Sequence, residues 1–99
     1  QLGMELNERM KTYLLIIDVE GHTDDVPIST FKFPSNWELS SSRSASVVKE
    51  FTDLGVDEKF VRAIGHADSF PLEPNRDDSG NAIPANMALN RRVDIIVHY

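Results

Sequence analysis

Leu2, Leu6, Met10, Tyr13 and Leu14 recur at three- and four-residue steps, with Glu5, Asn7, Glu8 and Lys11 between them. That spacing predicts an amphipathic helix over residues 2–14. The chain begins inside the pattern with no clear N-cap, so a preceding element is expected upstream. Leu15-Ile16-Ile17-Asp18-Val19-Glu20 is a short β-rich run, apolar at nearly every position until Asp18, as expected of a strand covered on both faces. Gly21 is expected to end it, leaving His22-Thr23-Asp24-Asp25 as the exit and Val26–Pro34, with its two prolines, as a loop. Ser35-Asn36-Trp37-Glu38 has the form of a capping box, with Ser35 as N-cap. A helix should follow from Asn36 to Leu54 along the stripe Trp37, Ser40/Ser41, Ser44, Val47/Val48, Phe51 and Leu54. Gly55 is placed to end it as the C′ residue.

The second half is more broken. Asp57–Phe60 reads as a single turn and Val61–His66 as a second strand weakened by Gly65. Ala67–Pro84 holds three prolines, Asp77-Asp78 and Ser79-Gly80, and reads as a long, mobile surface loop. Ala85–Asn90 reads as one helical turn. In the last strand, Arg91–Tyr99, alternation puts Val93, Ile95, Val97 and Tyr99 on one face and Asp94, Ile96 and His98 on the other. The order helix, strand, helix, strand, strand implies an α/β or α+β sandwich around a small mixed sheet.

Length and composition narrow this to one domain over residues 1–99, 40% hydrophobic and 26% charged, as folded chains are. Ten Lys+Arg against sixteen Asp+Glu give a net charge of −6 and a pI near 4.9. Nucleic acid is therefore not an expected partner, nor is an anionic membrane face. The absence of cysteine excludes disulfide frameworks and thiolate metal sites. No apolar run approaches the roughly 18 residues of a membrane span, so any anchor is expected outside this segment.

Three constellations invite a chemical reading. Asp24 stands where a strand exits, the edge at which open α/β sheets gather ligands, although the same residue serves equally well as a local Asx turn. Arg43 lies in the second helix, with its side chain leaning back toward the helix N-terminus. Its guanidinium fork suits a ligand carboxylate, or a salt bridge to Glu38 or a nearby Asp. Asn90-Arg91-Arg92 is a local basic exception in an acidic chain. Alternation sends the two arginines to opposite faces, so at most one is expected to share a site with Arg43. His22, His66 and His98 invite a metal reading, with Asp24, Asp25 and Asp68 nearby in sequence, but none sits in a HExxH-like spacing; each reads as a loop or strand-end histidine, and no metal site or cofactor is expected. No nucleophile elbow or phosphate-binding glycine loop is present, so no enzymatic activity is expected.

Four blocks in order carry a resemblance. Val19-Glu20-Gly21-His22-Thr23-Asp24, Asn36-x-x-Leu39-Ser40-x-x-Arg43, Gly65-His66-Ala67-Asp68 and Asn90-Arg91-Arg92-Val93-Asp94-Ile95 together resemble the OmpA-like peptidoglycan-binding domain. Asn36-Trp37-Glu38-Leu39-Ser40 and the Pro27–Pro34 insertion look like its MotB branch of flagellar stators, with wording closest to sodium-driven PomB or lateral-flagellar relatives. The resemblance implies an α+β, βαβαβ-type sandwich with helices packed on one side of the sheet and the family's first strand missing from this segment. It implies a non-catalytic periplasmic domain of an inner-membrane protein, anchoring a stator to the cell wall. The alternative branch is a tether on an OmpA- or Pal-like outer-membrane protein or a secretion apparatus. By resemblance, Asp24 would pair with the ammonium and Arg43 with the carboxylate of diaminopimelate in the peptidoglycan stem peptide. Thr23, Asn36 and Leu39 would line the same groove, and Asn90, Arg91 and Arg92 would border it. A homodimer is implied, as is a MotA/PomA-type partner reached through a transmembrane segment absent here. Ser44 departs from the family's usual alanine after the arginine, a change small enough for the packing to survive.

Overall fold

The computed structural model describes residues 2–13 and 15–98, with the side chains of Leu2 and of residues 11–13 outside the description. The chain runs α1 (Leu2–Tyr13), β1 (Ile16–His22), α2 (Asn36–Asp53), a 3-10 turn (Glu58–Phe60), β2 (Val61–Gly65), α3 (Pro84–Asn90) and β3 (Arg92–His98). The sheet order is β2-β1-β3, with β1 parallel to β2 and antiparallel to β3. This is the small mixed sheet with three helices that the sequence implies.

Register explains the two faces of the sheet. Ile17 stands opposite Val61 and Val97, and Val19 opposite Ala63 and Ile95. This row meets the helices: Met10 from α1, Val56, and the partly buried Val47, Val48 and Phe51 of α2 close the core over Ile17, Val19 and Val61. In the predicted α1 stripe, Met10 is buried and Leu6 half-buried, whereas Leu14 and the side chains of Leu2 and Tyr13 lie outside the described residues, as does Tyr99 of the last strand. Asn7 ties α1 to the turn after α2, donating to the Gly55 carbonyl at 2.8 Å and accepting from the Asp57 amide at 2.7 Å.

β1 is longer than its sequence suggests. Gly21 does not end the strand; it pairs with Gly65 on one side and Val93 on the other, and His22 still pairs with Arg92. The reason is packing against α2. A Cβ on Gly21 would collide with the Ser40 carbonyl, and one on Gly65 with Ser41 and Ser40. Ser40 and Ser44 are themselves fully buried. Small residues on both partners thus bring α2 down onto the end of the sheet, while Trp37 and Leu54 of the predicted apolar stripe stay exposed. Among the described residues, the second face of β1 is closed chiefly by polar side chains, with Phe70 edge-on to His66 at its end. There Asp18 accepts from Arg62 at 2.6 and 3.1 Å and meets His98 at 2.6 Å. The Arg62 guanidinium holds the Asp18 carboxyl below the usual carboxylate range.

Helix boundaries follow the expected chemistry with one change. Ser35 caps α2 by accepting from the Trp37 amide at 3.2 Å, and its hydroxyl donates to Glu38 at 2.6 Å. The capping box is therefore closed side chain to side chain, and not through the Glu38 amide. Gly55 follows with φ of 98°, a left-handed turn that glycine adopts without steric cost.

The 67–84 segment is built rather than loose. Arg76 bridges to Asp25 and pairs with Ala82 in an isolated β-bridge, and Asp77 accepts from the Ser79 and Asn81 amides at 2.9 Å. Those amide donors lower the Asp77 pKa. Asn90, fully buried, accepts from the Leu72 and Glu73 amides and donates to the Glu73 carbonyl and to Asn75.

Candidate functional site

The candidate site lies where β1 leaves the sheet beside the N-terminal half of α2. Thr23 continues the strand's line. Its amide donates to the Ala67 carbonyl at 2.9 Å, and the Ala67 amide in turn donates to the Ser40 hydroxyl at 3.0 Å. Ala67 holds φ of 53°, a left-handed conformation that costs a side-chain-bearing residue roughly 1–2 kcal/mol. Its amide and carbonyl thus clamp the exits of β1 and β2 to α2, which explains why the strain is tolerated at this spot.

Asp24 comes next and is half-buried. Its Oδ1 accepts from the Val26 amide at 3.0 Å, and its Oδ2 accepts from Arg91 Nη1 at 2.7 Å. It is thus both an Asx turn and a charged group presented at the strand exit. Arg91 is the arginine on this side. Arg92 lies across the sheet, where Nε donates to both Asp94 oxygens at 3.1 Å and Nη2 to the Phe70 carbonyl. The expectation of opposite faces holds, and it removes Arg92 from the Asp24 site. Asn90 is not a groove-lining group either; its amide is consumed by the backbone of Leu72 and Glu73 and the side chain of Asn75.

Along α2, Asn36, Leu39 and Arg43 follow at helical spacing on one edge of the helix. Asn36 donates to the Val26 carbonyl at 3.1 Å and so holds the loop that starts at Asp24. Leu39 is half-buried. Arg43 is exposed and makes no ion pair or hydrogen bond among the described residues, and Glu38, its nearest imagined partner, is taken by Ser35. Beside these residues opens a cleft of ≈ 250 Å³, lined by Asp25, Pro27, Ile28, Ser35, Asn36, Trp37, Ala67 and Asp68. Asp24 and Arg43 are not among its walls.

The open face of the sheet brings together His22 and His66, two of the three histidines the sequence singled out, with Glu20, which it did not. His66, just past β2, meets Glu20 at 2.7 Å and stacks on His22, with ring centroids 4.9 Å apart and planes 17° off parallel. His22 is buried, and burial, followed by the positive charge of Arg92, lowers its pKa. Its Nε2 lies 3.3 Å from Asp94, but the angle is poor, and neither ring nitrogen has a hydrogen-bond partner among the described residues. Strand pairing, and not spacing along the chain, makes the cluster: Glu20 and His22 lie two apart on β1, and the His66 amide donates to the Gly21 carbonyl at 3.0 Å just past the paired ends of β1 and β2.

Comparison with known proteins follows the same lines. The profile of the OmpA family matches residues 4–84. The chain is 42% identical over 82 residues to the protein YtxE of Bacillus subtilis, covering 82% of this chain and 31% of that protein. It is 30% identical over 82 residues to motility protein B of the same organism, covering 82% of this chain and 29% of the relative. The chain thus spans about a third of the length of these relatives. The C-terminal domain of Helicobacter pylori MotB superposes with a TM-score of 0.72 at 27% identity, over 100% of this chain and 75% of that one. No helix among the described residues is long and apolar enough to cross a membrane.

Proposed function

The chain belongs to the OmpA family, and from that premise we propose that it is the peptidoglycan-gripping domain of a MotB-type stator subunit, held on the periplasmic side of the inner membrane. Its work is binding rather than catalysis. The ligand is the side-chain end of diaminopimelate, which carries an ammonium and a carboxylate on one carbon. Asp24 takes the ammonium and Arg43 the carboxylate, each through charge-assisted hydrogen bonds of about 1.5–3 kcal/mol. Thr23, Asn36 and Leu39 hold the groove between them.

The observation that carries this reading is the contrast between the two charges. Arg43 stands exposed with no ion pair or hydrogen bond among the described residues, and Asp24 is oriented by a backbone amide while its other oxygen rests on the half-exposed Arg91. Arg91 acts as a replaceable counter-ion, holding the carboxylate aligned until an ammonium arrives.

The test is a comparison of soluble stem peptides by calorimetry. A peptide with free diaminopimelate should bind, and the same peptide amidated at the side-chain carboxylate should bind at least about tenfold more weakly, since one charged contact is lost. Equal affinity for both peptides would remove Arg43 from the proposed role.

A further inference from the structure

We infer that Glu20, His22 and His66 on the open face of the sheet form a binding site for one divalent transition-metal ion of the zinc class. Their ligand atoms all lie within 4.8 Å of one another, and Asp94 adds a second carboxylate 3.3 Å from His22 Nε2. Two imidazoles and a carboxylate, with a fourth position for water or a second oxygen, are a donor set that suits zinc and its neighbours.

The independent observation is His22 itself. It is 3% exposed, and both its ring nitrogens are buried without a hydrogen-bond partner among the described residues. Buried polar atoms are nearly always satisfied, and a ring with two orphaned nitrogens calls for a ligand that accepts its lone pair. Charge agrees. Beside the two imidazoles, the formal charges of Glu20 and Asp94 against Arg92 leave one net negative charge in the cluster for a dication to meet.

The metal-free geometry is slightly open. Metal–nitrogen and metal–oxygen bonds near 2.0–2.2 Å bring tetrahedral ligands to about 3.5 Å of each other. Near-parallel rings cannot aim both lone pairs at one point. Closing the site therefore takes rotation of His66, the more exposed ring, out of its stack and exchange of its 2.7 Å contact with Glu20 for a shared ion. The ion would tie the exit of β2 to β1, one residue from the Ala67 clamp. The site is separate from the Asp24–Arg43 pair, so neither proposal depends on the other.

The test titrates Zn²⁺ into chelator-treated, dialysed protein by calorimetry, and Co²⁺ in parallel by visible absorption. Wild type should take up one ion per chain, and saturating zinc should raise Tm by about 5 °C or more. His66→Gln and Glu20→Gln, both at partly exposed positions, should each weaken uptake at least about tenfold with native circular dichroism. His22→Gln is the more direct change, but it alters a buried residue and carries less weight. His98→Gln should bind as wild type does, because His98 and Asp18 form the other histidine–carboxylate pair on this face. No saturable uptake by wild type would overturn the site. So would unchanged affinity in His66→Gln and Glu20→Gln, or a loss confined to His98→Gln.

Discussion

Asn90 shows what a single buried amide does here. It satisfies two backbone amides and a carbonyl of a segment fifteen to eighteen positions earlier in the chain. Asn90→Ala leaves the Leu72 and Glu73 amides without their acceptor, at about 1–3 kcal/mol for a buried group left unpaired. Urea unfolding should report a loss of about 2–4 kcal/mol, whereas the exposed Arg43→Ala should change stability by less than about 0.5 kcal/mol. Asp24 and Arg43 were legible as candidates, because a charged residue at a strand exit and another on a capped helix can be found by local pattern and by resemblance. The role of Asn90 was not. Its partners are backbone groups of a proline-rich segment whose path is set by tertiary contacts, and nothing near Asn90 in sequence encodes them. The same limit hid the Glu20–His22–His66 cluster, since His66 reaches it only through parallel pairing of β2 with β1.

At the scale of elements, the contact between α2 and the sheet decides the site's geometry. Gly21, Gly65, Ser40 and Ser44 let the helix come close, and Ser40 passes that position on to Ala67 by a hydrogen bond. Gly21→Ala would push against a helix carbonyl, which cannot rotate away as a side chain can. The expected cost is about 1–3 kcal/mol in denaturant unfolding, with weaker sacculus binding because the Asp24 exit shifts relative to Arg43. The helix was legible through Ser35 and Gly55 at its ends and its spaced apolar residues. Its depth against the sheet was not, because a glycine reads as a strand terminator when only its own neighbours are considered. β3 gives the complementary case. Its alternation was legible and its register agrees, yet Ile95 and Val97 are 53% and 42% exposed, because β3 lies at the edge of the sheet. Pattern assigns a face to a residue; only the neighbouring elements decide whether that face is covered.

For the whole molecule, an acidic chain of net charge −6 has no general attraction to an anionic polymer, so on the proposed function its grip comes from the placed charges of the site. One such grip is modest. A stator resisting torque gains from several held in parallel, and the homodimer that the family resemblance implies would supply two. A covalently tethered dimer should therefore co-sediment with sacculi at roughly 100-fold lower protein concentration than the single chain, provided the tether spans neighbouring stem peptides. A tethered pair no better than the single chain would remove multivalency from the account. The most direct test of the central claim is co-sedimentation with purified diaminopimelate-type sacculi of wild type, Asp24→Ala and Arg43→Ala, each first shown to be folded by circular dichroism. The account predicts that wild type pellets with the sacculi and that both variants stay in the supernatant. Pelleting of either folded variant to the wild-type extent would contradict the two-charge site.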